Sequence, residues 1–123
     1  MSIEVSDVRC VLRQERDESL AAWAVRAENT GDRRATVELS LYLYTADGTI
    51  VHRDDRELSL PAGDCKFEVW VARGIARETG ARVAHWKVVA EGTGLQLAPQ
   101  PLSVTMLQGE RLAPSPWPVA IEA

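Results

Sequence analysis

The sequence predicts an all-β protein, an antiparallel sandwich of about seven strands with a proline-rich C-terminal extension. Three observations carry this. Apolar and polar residues alternate with period two along several stretches, as in strands with one face in a core. Turn signals recur at roughly every eight to fifteen residues. No stretch shows a competing helical periodicity.

The organising stretch is Thr36 to Thr49, where Val37, Leu39, Leu41 and Leu43 alternate with Glu38, Ser40, Tyr42 and Tyr44. It runs into Asp47-Gly48, a pair suited to the positive φ values of a hairpin turn. Before it, Val8, Cys10 and Leu12 alternate with Arg9, Val11 and Arg13, which predicts a first strand with even positions inside. Gln14 to Ser19 is a polar turn, and Trp23, Val25 and Ala27 form the inner face of a second strand. Asn29-Thr30-Gly31-Asp32 is a strong turn signal.

Past the hairpin, Ile50 and Val51 begin a shorter polar edge strand, and Leu58 and Leu60 point inward before the Pro61-Ala62-Gly63-Asp64 turn. Cys65, Phe67, Val69 and Val71 alternate with Lys66, Glu68, Trp70 and Ala72, and the apolar odd positions are expected inside. Gly74 to Gly80 holds one helical turn between sheets, too short for an independent helix. Val83 to Ala90 is the next strand, with Trp86 and Val88 inside. The expected core is Trp23, Val25, Leu39, Leu41, Leu43, Phe67, Val69, Trp86 and Val88.

Composition shifts after Gly92, and five of the six prolines follow it. Residues 1–92 are therefore read as the sandwich. Residues 93–123 are a proline-rich segment packed on it or supplying its last strand. Trp117 sits in a Pro-Ser-Pro-Trp-Pro run without a P-x-x-P register, so its expected use is docking on this domain or on a neighbouring subunit.

From Trp23 to Val71 the chain resembles bacterial immunoglobulin-like domains of the FxLYD and CARDB type. The resemblance rests on Ala27-Glu28-Asn29-Thr30-Gly31, on Leu41-Tyr42-Leu43-Tyr44-Thr45-Ala46-Asp47-Gly48, and on Leu60-Pro61-Ala62-Gly63 ahead of an alternating strand. Leu41 stands where the FxLYD motif has Phe, and Thr45 where it has Asp. The resemblance implies an immunoglobulin-like sandwich of seven strands used as a binding or spacer module, of a kind usually found in exported proteins.

Composition excludes some function classes. The chain has 14 basic and 18 acidic residues among its 123, a net charge of −4 with no basic stripe, which argues against nucleic acid as a partner. The first ten residues show neither a basic nor an apolar signal-peptide region, and no apolar run is long enough to span a membrane. A cytoplasmic location is the resulting expectation.

Cys10, His52, Cys65 and His85 are scattered singly, without the close pair of a zinc site. Two small buried thiols are the favoured reading, and Cys10 and Cys65 as neighbours in one sheet leave a bridge open. Asp47, Asp54, Asp55 and Asp64 lack a calcium-loop spacing. No nucleophile signature is present. No enzyme activity, metal or cofactor is expected.

The candidate site is the outer face of the organising strand. Tyr42 and Tyr44 are expected there beside Val83, His85, Lys87 and Val89, a composition that interfaces favour. Trp70, opposite Ala22 and Ala24, is a second expected outer patch. The reading is a non-enzymatic protein-interaction module that binds another protein or itself. Its alternative is a carbohydrate- or small-molecule-binding sandwich that uses its strand-end loops. A third reading is an accessory subunit whose C-terminal segment adds to a partner's sheet.

Overall fold

Six long strands carry the fold of the computed structural model, which describes residues 3–91 in full and, beyond them, the backbone of four short strands. The long strands are β1 (Ile3–Gln14), β2 (Glu18–Asn29), β3 (Ala35–Thr45), β4 (Ile50–Leu60), β5 (Cys65–Ala76) and β6 (Val83–Glu91). A single helical turn, α1 (Arg77–Ala81), joins β5 to β6. The short strands are β7 (Leu95–Leu97), β8 (Leu102–Thr105), β9 (Leu112–Ser115) and β10 (Ala120–Ile121).

The chain is all-β, in two sheets. One has the order β5-β2-β1-β8-β9, with β7 also on β1, and the other is β10-β6-β3-β4. Every pairing among the six long strands is antiparallel. The short strands depart from that, since β7 and β8 run parallel to β1 and β10 runs parallel to β6. Pro114 lies in β9, the end strand of its sheet, the position in which sheets tolerate proline.

One core fills the space between the sheets, with Trp23, Val25, Leu39, Leu41, Leu43, Trp86 and Val88 all inside it as expected. The β3–β4 hairpin closes at Asp47-Gly48. There Gly48 has φ +89°, and the Thr45 and Thr49 backbones bond across the turn. The Asp47 carboxylate accepts from the Thr45 hydroxyl and the Thr49 N–H, so it serves the turn itself.

Several expectations are corrected. The strand after the hairpin is not short, since β4 runs for 11 residues. The first strand begins earlier, at Ile3, and changes face at Asp7. There φ is +51° and the register shifts, so that Ile3 and Val5 join Val8, Cys10 and Leu12 in the core. Aspartate tolerates that left-handed geometry better than most residues.

The largest correction concerns β5. Cys65, Phe67, Val69 and Val71 lie outside, whereas Trp70 and Ala72 face inward, Trp70 half-buried. A slip of one residue in a strand exchanges its two faces, so the register decides which row is buried. That register is anchored at Asn29. Its N–H donates to the Asp64 carbonyl at 2.8 Å, and its own carbonyl accepts from the Gly63 N–H at 2.9 Å. Counting onward from Asn29 and Asp64 sets Trp23 opposite Trp70, with ring centroids 4.8 Å apart.

The Asn29 side chain is itself fully buried. Its amide donates to the Arg33 and Leu60 carbonyls at 2.7 and 3.0 Å, and its oxygen accepts from the Gly31 N–H at 2.9 Å. Replacing Asn29 by alanine orphans those groups, and each buried group left unpaired costs about 1–3 kcal/mol. Asn29→Ala is expected to lower the unfolding free energy by at least about 2 kcal/mol in urea, while Asp32→Ala, an exposed change in the same turn, stays within about 0.5 kcal/mol.

Candidate functional site

The outer face of β3 is less open than its sequence suggests. β6 pairs with β3 and sets Lys87 opposite Tyr42 and His85 opposite Tyr44. Register shifts on both sides of β3 fall at Tyr44, which is 8% exposed, while His85 is half-buried. The shift against β6 skips Ala84, and Val83 consequently turns into the core instead of joining the outer face. Val89 is buried as well.

Tyr42 remains half-exposed, but its ring is occupied. The Arg53 guanidinium carbon lies 5.1 Å from the ring centroid and Lys87 Nζ lies 5.9 Å from it. Lys87 is also 6.0 Å from the Tyr44 ring, and the two tyrosine rings are 6.3 Å apart. These cation–π contacts use the ring faces that an incoming ligand would stack on.

Beside Tyr42 is a shallow cleft of about 330 Å³, lined also by Ser40, Arg53, Asp55 and Glu91. Three of its polar groups answer one another. Asp55 accepts from the Ser40 hydroxyl at 2.5 Å and from Arg53 Nε at 2.7 Å. The Ser40 hydroxyl first, and Arg53 with it, hold the Asp55 carboxyl below the usual carboxylate range. A second hollow at the strand ends, lined by Thr45, Asp47, Thr49 and Arg82, is shaped by the hairpin turn. There the Thr45 hydroxyl and the Thr49 N–H lower the Asp47 pKa, so its carboxylate is committed within the turn.

Among the described residues, no group of three His, Cys, Asp or Glu side chains is placed to hold a metal ion. The two cysteines do not meet. Cys10 is buried opposite Trp23, and Cys65 is exposed opposite Glu28, on the other face of the same sheet. Burial pushes the Cys10 thiol pKa well up, which keeps it unreactive.

Trp70, expected in an outer patch, instead stacks on Trp23 at the inner margin of the core. Trp117 lies outside the described residues. In Trp70's place on the outer face stand Phe67, Val69 and Val71, which are 51%, 57% and 42% exposed. Sequence reasoning missed them because three large apolar residues at alternate positions look like a core row. The available signal was register, since an Asn29–Asp64 anchor already sets Trp70 opposite Trp23.

The row continues inward across the sheet. Ala24 lies opposite Val69, Ala22 opposite Val71, and Val11 opposite Ala22. Arginines flank it, and the chain itself pairs their charges: Arg9 with Asp7, Arg26 with Glu28, and Arg73 with Glu18. An apolar centre inside a charge-balanced arginine rim is the composition of a protein-contact surface. The chain matches no protein-family model, no curated protein and no solved structure.

Two outcomes follow. Tyr44→Ala is expected to destabilise the domain by about 2–4 kcal/mol in chemical unfolding, because it empties a buried aromatic site, whereas Tyr42→Ala costs distinctly less. A thiol reagent is expected to titrate Cys65 alone in the native protein, and Cys65 together with Cys10 in denaturant.

Proposed function

We propose that this domain is a non-enzymatic protein-interaction module of immunoglobulin-like type, with the outer face of β5 as its contact surface. The observation that carries the reading is the exposed row of Phe67, Val69 and Val71. A monomer has little reason to leave three large apolar side chains together in water while its core holds alanines at positions 21, 27 and 72.

Strand order supports the fold part of the proposal. Immunoglobulin domains place strands A, B and E in one sheet and C′, C and F in the other. The order β1-β2-β5 against β4-β3-β6 corresponds strand for strand. β10 lies beside β6, where that fold carries its last strand, although it runs parallel to β6. The agreement also favours the FxLYD and CARDB resemblance, whose members serve as binding or spacer modules.

Binding of a sugar or other small molecule has less support. The Tyr42 ring and the Asp55 and Asp47 carboxylates that line the two hollows are already engaged by the chain's own groups.

A photo-crosslinking residue tests the reading when placed at Val69, and in a separate variant at Glu57 on the charged outer face of β4. Irradiation is expected to give covalent protein adducts from position 69 and none from position 57. Absence of any adduct at 69, with the chain itself included as a partner, overturns the proposal.

A further inference from the structure

β5 and β4 are end strands of the two sheets, and no ladder joins them. An end strand offers unpaired N–H and C=O groups to any other strand, and folded proteins blunt such an edge with bulges, inward charges or a cover. β5 has particular need of this. Its stretch from Phe67 to Val71 is rich in aromatic and β-branched residues and holds no proline, a composition that favours pairing with further strands.

Each part of the β5 edge is closed by a different device. Toward its C-terminal end the ladder to β2 slips between Ala72 and Ile75, Gly74 takes φ +80°, and the Gly74 N–H donates to Glu18 at 3.4 Å. A bulge of this kind bends the strand and interrupts regular pairing. Toward its N-terminal end Lys66 and Glu68 stand on the inward row, Lys66 exposed and Glu68 half-buried. The middle is closed from the other sheet. Arg56 Nη2 donates to the Val71 carbonyl at 3.1 Å, while its Nε donates to Asp54 at 3.0 Å. Asp54 in turn accepts from the Trp23 indole N–H at 2.8 Å. The Val71 carbonyl therefore turns away from β2, and the two-residue repeat of a strand turns the Phe67 and Val69 main-chain groups the same way.

We infer that Arg56, positioned by Asp54, guards the β5 edge, as an intramolecular contact that keeps a further strand from adding to this sheet. A strand arriving beside β5 must donate to the Val71 carbonyl, which the guanidinium already holds. It must also displace a side chain that crosses from β4 to β5. Arginine suits the task, because its rigid fork of donors serves the Asp54 carboxylate and the Val71 carbonyl together. The inference concerns the main-chain edge and stands apart from the proposed contact surface, which is the side-chain face of the strand.

The test compares variants of the full chain. Arg56→Met keeps an aliphatic stem and removes both donors. Light scattering over a concentration series is expected to find Arg56→Met in larger species than the wild type at matched concentrations. Adding Val69→Pro, which takes an N–H from the open side and leaves the β2 ladder intact, is expected to bring the mass down to no more than that of the wild type. Adding Val69→Lys, a charge on the edge strand, is the second suppressor and has the same expected result. Association caused by partial unfolding would persist with either suppressor, and that outcome overturns the inference. Equal masses for Arg56→Met and the wild type overturn it as well. Should circular dichroism show Arg56→Met to be unfolded, Asp54→Asn is judged by the same outcomes, since it keeps an acceptor for the Trp23 N–H and removes the charge that positions Arg56.

Discussion

The arrangement depends on one buried side chain, Asn29. Its amide and backbone tie the end of β2 to the following turn, to the end of β4 and to the turn that opens β5. A buried polar group this well satisfied specifies geometry, because any other register would leave several donors and acceptors dry and unpaired. Alternation alone points β5 the wrong way, because its large apolar residues other than Trp70 fall on the row that lies outside. The Asn29 bonds choose the face.

From that choice follows the open side of the core. Trp70 turns inward onto Trp23, and the Trp23 N–H then needs an acceptor at the core margin. Asp54 supplies it from the other sheet, Arg56 balances the charge, and Arg56 in turn reaches back to the β5 backbone. These bonds fasten β4 to β5 where no ladder joins them. A carboxylate and a guanidinium at an inward position would be a poor choice in isolation. Here each has a partner and neither is fully enclosed, so the cost of removing them from water is modest.

Much of this fold is legible in the sequence. The alternation of β3, the Asp47-Gly48 hairpin, the inner face of β2 and the position of α1 follow from local chemistry, and the structure agrees with each. What is not legible is decided non-locally or by one irregular residue. The face change at Asp7 requires a positive φ at an ordinary aspartate, and the skipped Ala84 moves Val83 into the core while Tyr44 loses its exposure. The surface expected at Tyr42 and Tyr44 was read from residue type. Its cation partners come from β4 and β6, so their hold on the Tyr42 ring is visible only once those strands are paired.

The same reasoning explains why the apolar row on β5 is not merely a core row turned the wrong way. Were the two rows of β5 exchanged, the Trp23–Trp70 stack would break, and Trp70 would leave the core margin that it shares with the inward positions of Lys66 and Glu68. Native register therefore has its own justification, and the outer row is free to vary without harm to the interior. Lysine or threonine on that face would satisfy the fold equally well and would keep the edge from pairing. The adjoining β4 edge is charged throughout its middle, which shows that this sequence does use such protection. β5 carries Lys66 and Glu68 on its inward row, so the apolar centre of its outer row is a property of the surface and not a demand of the core.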